Sequence, residues 1–271
     1  MQYRLLASDL DNTLIPFGEA GPRPAVTGAL RRLHTAGVPF VVCTGRGGAA
    51  LQNKARRCGL QYDYAVCANG ACLLDGKGEA LAEHCLTPEE MYALTDFCED
   101  YDYPLQFTYR EGYYAYTGYE TFRDYYASYP EAGLSVFDGE DQDRHLIDMP
   151  YAACAALPTG ALARFTEKYG YLGLVFLLIG GGNGVEMYDI TRRGVTKAAG
   201  LAELCARLEI PMEAVVAAGD AANDCAMLRA AGLGCCMGNG TDEARAAADR
   251  VIGPVTGDGL AGLIAELWPA P

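Results

Sequence analysis

The chain has 271 residues and a mass of 28.9 kDa, a length that accommodates one large domain or two small ones. Hydrophobic residues make up 51% and charged residues 21% of the sequence, a balance that excludes a mostly disordered chain. The net charge of −14 disfavours non-specific binding to nucleic acid or to an anionic membrane surface. A small anionic substrate therefore needs local positive charge or a bound cation in order to approach.

The sequence also bears on the compartment. The first apolar run meets Asp9 at once, which leaves no signal-peptide core, and the longest apolar stretch, at residues 171–180, is too short to cross a membrane. The 11 cysteines contain no Cys-x-x-Cys pair, a pattern typical of reduced, buried thiols, and the adjacent Cys235 and Cys236 are interpreted as part of a core strand. We expect a soluble, cytoplasmic protein.

The first third of the chain alternates between apolar runs and amphipathic segments. The predicted elements are strands at 3–8, 39–43 and 64–67, helices at 24–36 and 49–58, and a hairpin turn at 75–78. The strands are continuously apolar rather than alternating, so we expect both faces of their sheet to be covered, as in a parallel sheet.

The middle of the chain is rich in tyrosine, with ten of the 18 tyrosines between residues 101 and 129. A hairpin is predicted over 105–117, then a helix near 160–169 and strands near 171–179 and 185–189, joined by the glycine tract 180–184. We expect residues 86–189 to form a separate α+β domain. Its tyrosines are expected to set substrate preference, together with Arg110 or Arg123.

The last third returns to strands alternating with helices. Helices are predicted at 196–208 and 222–231 and from Asp242, and strands at 214–218, 233–237 and 250–252. This rhythm predicts a doubly wound, Rossmann-like α/β fold with a parallel sheet, formed by residues 1–85 and 190–271 around the inserted α+β domain.

Two carboxylates follow the first predicted strand. Alternation along an extended chain places Asp9 and Asp11 on the same side. Like charges this close repel, so the pair indicates a bound cation, a shared proton or covalent chemistry. The ordinary alternative is a surface turn with a helix-capping Asp.

A second polar group follows the strand predicted at 214–218. Asp220, Asn223 and Asp224 come directly after it, and a plain capping turn explains one Asp but not three converging polar side chains. Oxygen ligands without histidine favour a hard cation such as Mg²⁺ over zinc.

Candidate partners for an anion lie on other segments. Thr44, Gly45 and Arg46 close the second strand and offer a hydroxyl and backbone N–H groups at a helix start. Lys197 begins the helix after the inserted domain. A divalent cation with Lys197 and Arg46 balances the four carboxylates, whereas the cluster without the cation is left strongly negative.

These segments, in this order, resemble the four motifs of the haloacid dehalogenase (HAD) superfamily. The motifs are Asp9-x-Asp11-x-Thr13, Thr44-Gly45-Arg46, Lys197 and Gly219-Asp220-x-x-Asn223-Asp224. The large insertion and Asn69-Gly70-Ala71 are similar to the Cof-type phosphatases with a class IIB (type C2B) cap. The sequence departs from that pattern at Asn12, where many members have Gly, and at Gly238-Asn239-Gly240, where an Asn-Ala pair is usual.

The resemblance implies a HAD core with an inserted α+β cap and a Mg²⁺-dependent phosphatase of a small phosphomonoester. Asp9 is implied as the nucleophile that becomes an aspartyl phosphate, and Asp11 as the acid and base. The implied metal ligands are Asp9, the carbonyl of Asp11 and Asp220, with Asp224 in support. The implied phosphate-binding residues are Leu10, Thr44, Gly45, Lys197 and Asn223, and Arg46 is a candidate substrate contact.

Other functions fit parts of the sequence. A phosphohexomutase on the same core uses the same Asp9 but returns the phosphoryl group to the sugar. A receiver-type signalling module also clusters Asp, Thr and Lys around Mg²⁺, but it is a single small domain. A dinucleotide-binding oxidoreductase is suggested by residues 45–50, yet the next strand ends at Asn69 rather than at an acidic residue for a ribose. The sequence does not identify the physiological substrate or the oligomeric state.

Overall fold

The computed structural model describes residues 3–140 and 144–269. Residues 1–2 and 270–271 of the predicted core, and 141–143 of the predicted insertion, lie outside the described residues. Within these ranges the strands are β1 (Leu5–Ser8), β2 (Phe40–Cys43), β3 (Tyr64–Cys67), β4 (Cys72–Asp75), β5 (Ala80–Glu83), β6 (Leu105–Thr108), β7 (Tyr113–Thr117), β8 (Val136–Asp138), β9 (Ala152–Pro158), β10 (Val175–Gly182), β11 (Val185–Thr191), β12 (Val215–Gly219), β13 (Leu233–Cys236) and β14 (Arg250–Val251). The α-helices are α1 (Pro24–Thr35), α2 (Gly48–Cys58), α3 (Pro88–Tyr101), α4 (Tyr119–Ala127), α5 (Ala161–Tyr169), α6 (Lys197–Arg207), α7 (Cys225–Ala230), α8 (Asp242–Ala247) and α9 (Gly259–Leu267).

The described chain forms two compact units. The first contains the residues up to Arg46, Leu51–Ala82 and the residues from Thr196 onward. The second contains Gly47–Ala50 and Glu83–Val195. The predicted domain limits, with an insertion at 86–189, stay a prediction.

The first unit is built on an eight-stranded sheet in the order β14-β13-β12-β1-β2-β3-β4-β5. The pairs from β14 to β3 are parallel, and β4 is antiparallel to β3. Every residue of β1, β2 and β12 is buried, which is the burial that continuous apolar strands predict. The predicted fold class, an α/β core with a doubly wound parallel sheet, is confirmed.

The strand order places one sheet edge where a site can form. The chain passes from β1 outward through β2 and β3, whereas β12 lies on the other side of β1. In doubly wound sheets, ligands bind outside the carboxyl ends of the strands at such a reversal of strand order. Asp9 follows β1 and Asp220 follows β12, so both lie at this point.

The second unit is a six-stranded sheet in the order β10-β11-β9-β6-β7-β8, antiparallel except for the pair β7–β8. Alternate residues of β9 enter two different apolar clusters. One cluster includes α3 and α5, and the other includes α4, so helices pack on both faces of this sheet. The predicted hairpin over 105–117 is confirmed as β6 and β7.

Some elements differ from the sequence prediction. The glycine tract 180–184 was predicted as a connection, but β10 continues through Gly182 with a bulge after Leu178. The turn itself is only Asn183 and Gly184, with φ of 53° and 80°, because a two-residue hairpin requires positive φ at both positions. The helix predicted at 222–231 is a 3₁₀ turn, Ala222–Asp224, followed by α7.

The cysteines lie mostly inside the two units. Nine of the 11 are buried, including Cys235 and Cys236 in β13, and only Cys58 and Cys85 are partly accessible. Burial raises the pKa of the Cys235 thiol to about 12, which leaves almost no reactive thiolate at neutral pH. The vicinal pair is therefore a packed part of the strand. No helix among the described residues is long and apolar enough to span a membrane.

Thiol accessibility can be measured directly. With a colorimetric disulfide reagent and the native protein, we expect Cys58 and Cys85 to react first and the nine buried thiols to react only on denaturation. The doubly substituted variant Cys58→Ser, Cys85→Ser should lose the fast phase. Rapid modification of several further thiols in the native protein contradicts the packing described above.

Candidate active site

Lys197 lies at the centre of a buried group of carboxylates. Its ammonium group donates hydrogen bonds to Asp9 Oδ1 at 2.5 Å and to Asp224 Oδ1 at 2.8 Å. The lysine and both carboxylates are almost fully buried. Such a pair withstands burial only if the charges and hydrogen bonds are well matched, and here one ammonium is shared by two carboxylates.

The local sequence explains how Lys197 reaches this position. It is the first residue of α6, and the side chain of the preceding Thr196 caps the helix by accepting a hydrogen bond from Ala199 N. Gly70 packs directly against Thr196, since a Cβ at residue 70 would lie 2.2 Å from the Thr196 carbonyl oxygen. Only glycine allows this approach, which fixes the start of α6 against the turn after β3.

Asp224 links the lysine to the turn after β12. Its Oδ2 atom accepts hydrogen bonds from the backbone N–H groups of Asp220, at 2.9 Å, and Ala221, at 3.1 Å. The other oxygen accepts from Lys197, so both carboxylate oxygens of Asp224 accept hydrogen bonds within the protein. This arrangement suits the predicted supporting position of Asp224 rather than a direct ligand.

Asp220 is held by Thr13, to which the sequence analysis gave no function in the site. The hydroxyl of Thr13 donates to Asp220 Oδ1 at 2.7 Å. One ligand oxygen from each of Asp9, Asp220 and Asp224 lies within 4.8 Å of the others. Thr13 was visible in the Asp-x-Asp-x-Thr pattern, but the pattern alone does not show which carboxylate its hydroxyl contacts.

Burial first, and the neighbouring carboxylates second, raise the pKa values of the site acids. Burial, opposed by Lys197 and assisted by the neighbouring carboxylates, raises the pKa of Asp9 well above its ordinary value. Burial also raises the pKa of Asp220 to about 6, although the Thr13 hydrogen bond acts against it. Burial alone lowers the pKa of Lys197, but Asp224 and Asp9 outweigh it and keep the ammonium charged. One ammonium faces a cluster of three carboxylates, which leaves two negative charges uncompensated when all three are ionised.

The Asp11 side chain is paired with a different cation from the one that binds Asp9 and Asp224. Its two carboxylate oxygens accept hydrogen bonds from the guanidinium of Arg46 at 2.7 and 2.8 Å, and about half of its side chain is exposed. The side chains of Asp9 and Asp11 therefore have different partners. Arg46, predicted as a substrate contact, is itself buried and paired with Asp11.

The remaining predicted residues line the same sheet edge. Thr44 is buried at the end of β2, and its hydroxyl accepts a hydrogen bond from Arg46 N. Gly45 and Asn223 are partly accessible. The Asn223 side-chain amide donates to Asn69 Oδ1 at 3.0 Å, a contact that the sequence did not predict. The side chain of Leu10 is fully buried, so only its backbone can face a ligand.

The two departures from the family pattern meet in space. Asn12 has a φ of 60°, a left-handed conformation that Asn adopts more readily than most residues. The side chain of Asn239 donates to the Asn12 carbonyl at 2.9 Å and accepts from Val255 N at 2.8 Å. Asn12 and Asn239 therefore both stabilise the conformation of the loop that follows Asp11.

Comparisons with known proteins agree with this geometry. Residues 6–264 match the family described as haloacid dehalogenase-like hydrolase. Phosphatase YwpJ of Bacillus subtilis (strain 168) is 26% identical, over 92% of this chain and 94% of that protein. The chain belongs to the haloacid dehalogenase-like hydrolases. The predicted resemblance and the predicted class of enzyme, a phosphatase of this superfamily, are confirmed.

Solved structures share the fold over nearly the whole chain. BT1666 of Bacteroides thetaiotaomicron, from a study of HAD phosphatases, is 22% identical, covers 97% of this chain and 94% of its own, and has a TM-score of 0.83. The HAD subclass IIB sugar phosphatase BT4131 is 22% identical, with 97% and 98% coverage and a TM-score of 0.79. At this identity they establish the fold, including the inserted cap.

A substitution of Lys197 tests how much this residue contributes to the stability of the protein. Lys197→Met leaves Asp9 and Asp224 buried without their cation, and we expect the free energy of unfolding to fall by about 3–5 kcal/mol. Chemical denaturation measures this loss. Lys168→Met, which removes an exposed pair with Asp100, is the control and should leave the transition nearly unchanged. Equal effects of the two substitutions contradict the central position of Lys197.

Proposed function

We propose that the protein is a Mg²⁺-dependent phosphatase that hydrolyses a small phosphomonoester through an aspartyl-phosphate intermediate on Asp9. The proposal rests above all on the buried cluster of Asp9, Asp220 and Asp224 around Lys197, at the reversal of strand order. Family membership makes this the expected place for the chemistry.

The donor set fits a divalent cation. The cluster carries three carboxylates and one ammonium, and the Arg46–Asp11 pair balances its own charges, so two positive charges are needed for neutrality. All side-chain donors are oxygens, which suits Mg²⁺. Asp9, Asp220 and the backbone carbonyl of Asp11 are the proposed ligands, and Asp224 orients the others. Bound there, the ion supplies charge neutralisation for the phosphoryl group.

Asp9 is proposed as the nucleophile. A carboxylate oxygen forms a bond to phosphorus while the bond from phosphorus to the ester oxygen breaks, and the leaving alcohol takes a proton from Asp11. Asp11 then accepts a proton from water, whose oxygen attacks phosphorus and releases phosphate from Asp9. Lys197 holds Asp9 in place and stabilises the charge on the transferring group.

The position of Asp11 adds a condition to this mechanism. Both of its oxygens accept hydrogen bonds from Arg46, so Asp11 must turn away from Arg46, at least in part, to carry a proton to a leaving group. Asp11 then no longer balances the positive charge of the guanidinium, and that charge attracts an anion. Arg46 is therefore proposed to hold Asp11 between turnovers and to face the substrate during them.

The phosphoryl oxygens are proposed to bind four groups on neighbouring loops. These are the Thr44 hydroxyl, the backbone N–H groups of Leu10 and Gly45, and the Asn223 amide, in addition to Lys197. The substrate class proposed is a sugar phosphate or a phosphorylated cofactor, supported by the fold shared with a sugar phosphatase. The partner is thus a small phosphorylated metabolite; the cytoplasmic location stays a prediction.

Removal of the metal tests the cation. After exhaustive chelation, we expect phosphate release from a panel of phosphomonoesters to be abolished and to return with Mg²⁺. Asp220→Asn should raise the Mg²⁺ concentration needed for half-maximal activity. Full activity in the metal-free protein refutes the proposed site. Phosphate that is retained on an isomerised sugar, rather than released, indicates the mutase alternative.

Two substitutions separate the proposed catalytic steps. Asp9→Asn should lower turnover by more than about a thousandfold because an amide is a poor nucleophile. Asp11→Asn should still accept a phosphoryl group on Asp9 but stall its hydrolysis, so acid quenching should trap labelled enzyme. The exposed Asp96→Asn is the control and should behave like the wild type. Near-normal rates in both site variants mean that the site is misplaced.

A further inference from the structure

The helices α1 and α2 carry basic residues but no acidic residue. Arg31 and Arg32 lie in α1, and Lys54, Arg56 and Arg57 lie in α2. All five belong to the first compact unit. Lys54 is buried, whereas the four arginines are exposed. The chain as a whole has 35 acidic and 21 basic residues, so this pair of consecutive helices reverses the charge balance of the protein.

A cleft of about 970 Å³ lies between these helices, and all of its lining residues belong to the first unit. Its walls include Arg31 of α1, Arg56 of α2 and Lys77 of the turn after β4. Asp63 is the one acidic residue among the described residues that line it. Three cations and one carboxylate give the lining a net charge of +2, with His34 neutral, in a protein whose total charge is −14.

The cleft lies at the sheet edge opposite to the candidate active site. Phe40 begins β2, and Tyr62 and Asp63 directly precede β3, so these lining residues lie at the amino ends of two parallel strands. Asp9 and Asp220 follow the carboxyl ends of β1 and β12. A strand of four residues spans about 13 Å. An anion bound in the cleft is therefore separated from the carboxylates of the candidate active site by the length of the sheet.

The cations of the cleft have no counterion. The side chains of Arg31, Arg56 and Lys77 form no hydrogen bond or ion pair with any residue that the structure describes. Other exposed arginines of the first unit do pair, since Arg207 binds Glu203 and Arg250 binds a glutamate of α9. A guanidinium without a partner offers its whole set of donors to the oxygens of a phosphate or a carboxylate.

The carboxylate of Asp63 is already engaged by other groups. Its Oδ2 atom accepts a hydrogen bond from Phe40 N at 2.8 Å, and its Oδ1 atom lies 3.7 Å from His34 Nδ1. Tyr62, which also lines the cleft, forms no hydrogen bond through its hydroxyl within the described part of the chain. Burial raises the pKa of Tyr62 to about 12, so the hydroxyl keeps its proton at neutral pH and can donate to an anion.

The ends of the helices explain part of this pattern. A basic residue in the last turn stabilises a helix through the helix dipole, and Arg32, Arg56 and Arg57 lie in such turns. The dipole does not account for Lys77, which lies on a turn between strands. It also acts alike on Arg56 and Arg57, whereas only Arg56 lines the cleft. The dipole and a binding site therefore lead to different expectations for adjacent arginines.

We propose that this cleft binds a small anion that carries several phosphate groups, with Arg31, Arg56 and Lys77 as its principal partners. A cleft of this volume suits a small molecule. Several phosphates are needed to engage cations that come from two helices and a turn. The total charge of −14 disfavours a nucleic acid or an anionic membrane as the ligand. The site does not depend on the proposed phosphatase activity.

Inorganic tripolyphosphate, which has three linked phosphates, is the probe. Titrated into isotope-labelled protein in a buffer without divalent cations, it should shift the amide resonances of Gln52, Gly59 and Gln61 to saturation at millimolar concentration or below. These amides belong to residues that line the cleft, so binding at the candidate active site is registered separately. Orthophosphate at equal ionic strength should bind more weakly because it engages fewer cations.

Two double variants on the same helices provide a matched comparison. Arg31→Gln with Arg56→Gln removes two cations of the cleft and should weaken tripolyphosphate binding by about ten- to a hundredfold. Arg32→Gln with Arg57→Gln removes the same charge from adjacent exposed residues that do not line the cleft. It should change the affinity by less than about threefold, because solvent and salt screen charges outside the site. Lys77→Gln tests the third partner and should also weaken binding.

Four results overturn the proposal. The first is the absence of saturating shifts at the amides of the cleft. The second is an equal loss of affinity in the two double variants, which indicates the general field of the basic helices. The third is equal affinity for tripolyphosphate and orthophosphate, which removes the need for several phosphates. The fourth is binding of phosphatidylglycerol vesicles without binding of tripolyphosphate, which indicates a membrane surface instead of a small ligand.

Discussion

The site depends on one ammonium group that is shared by carboxylates from two strand ends. Asp9 comes from the end of β1 and Asp224 from the turn after β12, and Lys197 joins them in a region almost without solvent. Without that cation, the same backbone would bring three carboxylates together with nothing to offset their repulsion. Because Asp224 also accepts the N–H groups of Asp220 and Ala221, the lysine fixes the backbone of that turn as well as its charge.

Backbone strain accompanies this arrangement on the β3 side. Ala68 and Asn69 have φ values of 48° and 53°, and Ala68 has no side chain that favours a left-handed conformation. Each has a compensating contact, since Ala68 N donates to the Arg46 carbonyl and Asn69 Oδ1 accepts from Asn223. Gly70 then allows the turn to touch Thr196, before Lys197. A single strained turn thus contacts the segments that carry Arg46, Asn223 and Lys197.

The core and the sheet edge that carries the candidate site could be predicted because both depend on local patterns. Continuous apolar strands predict burial on both faces, and polar residues directly after β1, β2 and β12 must share the carboxyl edge of a parallel sheet. The pairing of Asp11 with Arg46 and of Thr13 with Asp220 could not be predicted, because both depend on rotamers and on loop conformation. The periodicity of the sequence carries no information on rotamers or on loop conformation.

The second unit was harder to predict for a different physical reason. Its helix α4 lies within the tyrosine-rich segment, and tyrosine favours sheets and half-buried surfaces, so the composition hid the helical period there. The tyrosines differ in burial: Tyr109, Tyr113 and Tyr126 are buried in the second unit, whereas Tyr101 and Tyr129 are exposed. Arg110 and Arg123, expected to face a substrate, pair with Glu83 and Asp124. Their expected contribution to substrate choice stays a prediction.

Arg46 and Lys197 have different functions in the site although both are buried cations. Lys197 bonds Asp9 and Asp224 within a cluster that carries excess negative charge, so any departure of the ammonium raises the electrostatic cost. Arg46 binds Asp11, a half-exposed carboxylate that water can solvate, so Asp11 can leave it at a smaller cost. In the proposed mechanism the nucleophile Asp9 stays in place, whereas the acid–base group Asp11 moves with its proton. The burial of Asp9 and the exposure of about half of the Asp11 side chain are consistent with this proposed division.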